Sequence, residues 1–177
     1  EAMNACDALA LSTPGLRDHA AELSPRPAFL RRNFADRPTL EAGLEALRKR
    51  KTRAGFTVAF ASGSWGHEAD FRILEREMSA FLAADASRRL LILGSFRPGL
   101  LSPDLQSRIE TRPFTDYPQY LAHLAEADCA VMPLKDDLFN RCKSAVRVID
   151  ASSVGVPSIV SAVGDLPSLI EEGRSGH

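Results

Sequence analysis

The sequence predicts an α/β protein built on a parallel β-sheet with helices on both faces. Strand-like and helix-like segments alternate along the whole chain, the pattern of a sheet wound by crossover helices. The clearest strand candidates, residues 56–61 and 90–93, are apolar at nearly every position, without the polar alternation of a sheet that turns one face to water. In chain order, residues 6–12 form a short apolar run. Thr13 and Pro14 then supply an N-cap and a first helical residue for the segment GLRDHAAEL. Residues 27–30 are a second strand, flanked by Arg31, Arg32 and prolines. Residues 39–51 make a helix, with Leu40, Leu44 and Leu47 at helical spacing and a basic tail that suits the helix dipole.

After the strand at 56–61, a helix puts Phe71, Leu74, Met78 and Phe81 on one face. Gly94 ends the strand at 90–93, and a Pro- and Gly-rich loop at 96–103 leads to a short strand near 107–111. Residues 117–127 form a helix with Tyr117, Tyr120, Leu121 and Leu124 turned inward as packing. A strand at 129–134 runs into a polar loop at 135–141. A helical stretch then breaks at Gly155 and Pro157 into a strand at 158–161.

At 177 residues the chain is long enough for one domain with its own core. Hydrophobic residues make up 45% and charged residues 25%, as in a globular protein in water. The net charge of −1 gives no general attraction to nucleic acid or to an anionic membrane. No apolar run approaches the roughly 20 residues that span a bilayer. Cys6, Cys129 and Cys142 are odd in number, far apart and without metal-ligand spacing, so they read as reduced thiols of a cytoplasmic protein. Both ends read as cut from a longer protein.

Ligands of open parallel sheets sit beyond the carboxyl ends of the strands, and residues 62–69, 112–117 and 135–144 occupy that edge. Three groups there carry chemistry. Asn140, Arg141 and Lys143 stand ahead of the helical stretch, where free backbone N–H groups and the helix dipole favour an anion such as phosphate. Asp150, two turns further on, can accept hydrogen bonds from sugar hydroxyls. Gly63, between Ser62 and Ser64, lets backbone approach a ligand closely. Phosphate at one end and hydroxyls along the side describe a nucleotide-sugar. Trp65 and His67 read as ordinary loop residues, and the adjacent Asp136 and Asp137, which lack Asp-x-Asp spacing, as a solvated pair.

Two segments, FNRCKSAVRVIDASSVGVPSIVSA (139–162) and FASGSWGHEADF (60–71), resemble the signatures of retaining GT-B glycosyltransferases of the glycosyl transferases group 1 type. Phe139, Asn140, Lys143 and Ser144 match one version of the first motif, and Asp150 matches its acidic residue, usually Glu. Cys142 stands where the other acidic residue of that motif would be. No Arg or Lys occurs between Ser62 and Phe71, where many members of the family carry them.

The resemblance covers residues 56–177 well and the rest loosely. It implies a Rossmann-like sheet forming one half of a GT-B fold. Residues 1–50 would be the last strand–helix unit of the amino-terminal half and the connection, and 51–177 the carboxyl-terminal, nucleotide-sugar-binding domain, truncated at its end. The implied activity is transfer of a sugar to a saccharide or lipid-linked acceptor, in polysaccharide biosynthesis. The implied donor contacts are Ser62, Gly63 and Ser64 for diphosphate and sugar, Phe114 beside Arg112 and Pro113 for the base, Asn140, Lys143 and Ser144 for phosphate, and Asp150 for ribose. No catalytic residue is assignable in this half, and neither metal nor cofactor is expected. The implied partners are the nucleotide-sugar and the amino-terminal half, not nucleic acid, with peripheral membrane association open to the full-length protein. The residues also leave open a nucleotide-sugar epimerase and a non-catalytic, flavodoxin-like binding module.

Overall fold

Thr13 begins the first helix as its type and place require. In the computed structural model, which describes residues 2–51, 53–63, 68–95 and 101–177, its hydroxyl oxygen accepts the Leu16 N–H at 3.1 Å and Pro14 follows. This helix, α1 (Pro14–Leu23), joins β1 (Leu9–Leu11) to β2 (Ala28–Leu30), a parallel pair. Asp36 caps α2 (Arg37–Lys49) in the same way, through the Thr39 N–H at 3.0 Å.

The main sheet follows. Its elements are β3 (Thr57–Ser62), α3 (Glu68–Phe71), α4 (Glu75–Ala83), β4 (Arg89–Gly94), β5 (Ile109–Arg112), α5 (Tyr117–Leu124), β6 (Cys129–Met132), α6 (Leu138–Arg141), α7 (Val146–Ser153) and β7 (Ser158–Val160). All five strands are parallel, in the order β5-β4-β3-β6-β7. The chain winds outward from β3 through β4 to β5, then returns to lay β6 on the other side of β3. That reversal opens a crevice at the carboxyl ends of the strands.

The apolar strands are explained by burial on both faces. Val58, Phe60, Leu90, Ile92 and Val131 pack with Phe71, Met78 and Leu82 on one face. Their strand neighbours Ala59, Leu91, Leu93, Ala130 and Met132 pack on the other, with Leu121, Leu124, Val148 and Ala151. The fold is therefore a Rossmann-like parallel sheet, as the sequence predicts. Among the described residues no helix is long and apolar enough to cross a membrane.

On α2 the buried face is Thr39, Gly43 and Ala46, while Leu40 and Leu44 are exposed. Close approach is the reason, since a side chain at Gly43 would overlap the Ser153 carbonyl of α7. The single helix expected around Phe71–Phe81 is broken by a 3-10 turn at Arg72–Leu74, yet its expected face holds: Phe71 and Met78 are buried in one core cluster with Leu82, and Leu74 and Phe81 pack against it. The polar loop at 135–141 contains α6, started by Asp137, whose carboxylate accepts the Asn140 N–H at 2.9 Å.

The first two strands and α1 are tied to the main sheet by polar links. The Thr13 hydroxyl donates to the Cys142 carbonyl at 2.8 Å, Arg32 donates to Asp165 at 2.6 Å, and the Asn33 amide donates to the Ser144 hydroxyl at 2.9 Å.

Candidate functional site

A cleft of about 310 Å³ lies at the carboxyl ends of β3, β4 and β5. Parallel pairing brings Ser62 beside Gly94 at its floor. Gly94 has φ +103°, in the left-handed region, and a side chain there would overlap the Ser62 carbonyl and press on the Phe114 ring. Only glycine lets β4 end this close to β3. Pro113 and Phe114, at the end of β5, form one wall, with the Phe114 ring 59% exposed.

The opposite wall comes from α5 and α7. Asp150 is 5% exposed, and its carboxylate accepts the Tyr117 hydroxyl at 2.6 Å. Burial raises the Asp150 pKa, and the phenols of Tyr117 and Tyr120 partly offset that by hydrogen bonding. Tyr117 is pushed up to about 12, first by burial and then by donating to Asp150. Tyr120 is also pushed up, chiefly by burial, and the two rings stack with centroids 6.0 Å apart. Arg147, one turn before Asp150, lines the same cleft and donates through Nη1 to the Ala61 carbonyl at 3.0 Å. Burial lowers its pKa.

A second polar cluster stands beside this cleft, centred on Asp70 of α3, which is 5% exposed. Its carboxylate accepts the Lys135 N–H at 2.9 Å and the Asn140 side-chain amide at 3.1 Å, with the Lys143 ammonium at 3.6 Å. The Asn140 amide also donates to the Lys135 carbonyl at 2.8 Å. Lys143 stands 4.8 Å above the Phe139 ring, and burial lowers its pKa against the opposing pull of Asp70. The cluster joins the start of α3 to the segment between β6 and α7.

The structure thus brings Ser62, Gly63, Phe114 and Asp150 to one cleft and leaves Asn140, Lys143 and Ser144 out of its lining. The reason is buried Asp70, which draws Asn140 and Lys143 to itself, while Ser144 is held by Asn33. Ser64, Trp65 and His67 lie outside the described residues. Asp136 and Asp137 are both exposed, as the sequence reading has them; on the surface Asp136 takes two bonds from Arg141, at 2.6 and 3.0 Å, and Asp137 caps α6. Cys142 holds Thr13 through its carbonyl. Sequence reasoning missed Arg147, and it took Tyr117 and Tyr120 only for packing. The available signal was Arg147 and Asp150, two charges three residues apart in an otherwise uncharged helix at the ligand edge.

The glycosyl transferases group 1 family matches residues 55–177, more than half of the chain. The chain belongs to that family. No curated protein matches the sequence. Among solved structures, this group 1 chain is similar to sucrose-phosphate synthase from Thermosynechococcus elongatus, at 18% identity and a TM-score of 0.64 over 97% of this chain. It is also similar to a mutant of S. aureus TarM in complex with Fondaparinux, alpha-GlcNAc-glycerol and UDP (13% identity, TM-score 0.62, 98% of this chain). A third is the catalytic domain of starch synthase IV from Arabidopsis thaliana, bound to ADP and acarbose (8% identity, TM-score 0.57, 95% of this chain). At these identities the likeness is one of fold: the sheet is that of a GT-B glycosyltransferase half. The chain covers 44%, 34% and 42% of those three chains, less than half of each.

Proposed function

We propose that this group 1 glycosyltransferase chain is the donor-binding, carboxyl-terminal part of a retaining enzyme, and that the cleft at β3–β5 takes the nucleoside of a nucleotide-sugar. The observation that carries this reading is Asp150, a buried carboxylate facing a cleft at the carboxyl edge of a parallel sheet. A buried carboxylate is costly unless hydrogen-bonded. Here its partners are phenols rather than a cation, so a ribose diol can join or replace the Tyr117 hydroxyl as donor.

The exposed Phe114 ring offers a face on which a base can stack, and Gly94 keeps the floor beneath it clear. The cleft volume falls at the lower end of the roughly 300–1,000 Å³ of small-molecule sites, suited to a nucleoside more than to a whole nucleotide-sugar. Two similar folds hold UDP and ADP, the kind of ligand proposed here. In this scheme the sugar projects past the sheet edge toward the other half of the enzyme, which brings the acceptor. Protein cations and helix dipoles meet the charge that develops on the leaving diphosphate.

Calorimetric titration with UDP, GDP, ADP and their sugars tests the proposal. One base should bind, and Asp150→Asn should weaken it by about tenfold or more, since a hydrogen bond to a charged group contributes roughly 1.5–3 kcal/mol. Absence of binding by every nucleotide at millimolar concentration would leave a non-catalytic module as the better account.

A further inference from the structure

Arg147 and Asp150 stand one turn apart on α7, line the same cleft and do not pair with each other. Among the described residues, Arg147 has no carboxylate within ion-pair distance; its one hydrogen bond is to the Ala61 carbonyl. A guanidinium carries five N–H donors, so among the described residues four have no hydrogen-bond acceptor. Burial already works against its charge. Tyr120 and Asp70 favour its charge only from a distance, so a desolvated guanidinium, fixed by a backbone bond at the lip of a cleft, keeps donors for an anion.

Its surroundings say which kind. The Ala61 bond holds the guanidinium at the end of β3, next to Gly63, where a side chain would meet nothing within 4 Å. Among the described residues there is therefore open space beside the backbone at that point. Arg147 is the only Lys or Arg among the described residues lining the cleft, and residues 62–71 contain neither. Lys143, the nearest alternative in sequence, is engaged by Asp70 and the Phe139 ring. Positions three apart on a helix hold their Cβ atoms about 5–6 Å apart, a spacing on the scale of one pentose. A ligand with hydroxyls at Asp150 and an anionic group at Arg147 fits both unpaired charges at once.

We propose that Arg147 is the anion anchor of this cleft, taking the diphosphate of a nucleoside diphosphate through the free edge of its guanidinium fork. The proposal rests on the donor-site reading above and assigns the positive charge to α7, not to Lys143 or the loop after β3.

The test compares, on the full chain, the affinity of the preferred nucleoside with that of its 5′-diphosphate, by calorimetry at low and high salt, with thermal unfolding on the same samples. Wild-type protein should favour the diphosphate and lose that preference as salt rises. Arg147→Gln should lose at least tenfold of the preference and most of its salt dependence, with nucleoside affinity within twofold of wild type. Arg147→Lys keeps the charge without the fork, so its preference should be at least threefold weaker than wild type but stronger than that of the Gln variant. A Gln or Lys variant that folds and keeps the full wild-type preference overturns the assignment, as does a wild type that binds nucleoside and diphosphate equally. In those cases the donor site stands without this anchor. If neither ligand binds wild type, the donor-site reading itself fails.

Discussion

Replacing Asp70 by Ala should be among the most damaging single changes outside the apolar core. The carboxylate is nearly inaccessible and receives the Lys135 N–H, the Asn140 amide and the Lys143 ammonium. Deleting it strands two neutral donors in a buried place, at about 1–3 kcal/mol each. It also removes the counter-charge of Lys143, whose side chain is 23% exposed and at a longer 3.6 Å, so this share is smaller. The two donors alone span about 2–6 kcal/mol, and about 3–5 kcal/mol, the range for breaking a buried pair from one side, is the expected loss. With a urea slope of about 2 kcal/mol per molar, the unfolding midpoint should fall by roughly 1.5–2.5 M. Equilibrium unfolding followed by circular dichroism reads this directly. Asp70→Asn, which keeps an acceptor for the Lys135 N–H, should cost less. A double-mutant cycle with Lys143→Met should show coupling between the two residues. A loss below 1 kcal/mol in Asp70→Ala would show that this junction does not hold the two segments together, and would return Lys143 to consideration as a ligand-binding group.

Further outcomes concern the cleft. Burial raises the Asp150 pKa above its ordinary 3.8, so its ionisation disfavours folding, and the penalty is complete only above the folded pKa. Wild type should therefore gain stability relative to Asp150→Asn as pH falls through that pKa toward 3.8; denaturation series at several pH values would refute this if the gap moved the other way. Ultraviolet titration should find one tyrosine ionising near 12, and it should move back toward 10 in Asp150→Asn, because part of the Tyr117 shift is its bond to that carboxylate. Gly94→Ala should cost about 2 kcal/mol or more, from positive φ and overlap with the Ser62 carbonyl, and calorimetric unfolding well below the wild-type temperature is the expected result.

The sheet was legible because its strands are apolar on both faces, and that pattern survives without knowledge of contacts. Gly94 and the pair Gly155 and Pro157 marked where elements stop. Asp150 was also legible, as a carboxylate in a helix at the ligand edge. Lys143 was not, because a lysine before a helix has the same sequence signature whether it meets phosphate or a buried aspartate 73 positions earlier. The partner, Asp70, is a long-range fact. The inward face of α2 was hidden for a related reason. Leucine spacing marks a helix, but which stripe faces inward depended on how closely Gly43 lets α2 approach α7.

That approach reaches further than packing. Because α7 carries both Arg147 and Asp150, the helix behaves as a rigid gauge: it cannot slide or tilt without moving the hydroxyl-reading and anion-reading groups together. The backbone of α2, seated against Ser153 at the far end of the same helix, sets where that gauge rests. A bulkier residue at Gly43, remote from any ligand, should therefore displace both marks by a similar amount, changing how well a nucleotide fits without favouring one base over another.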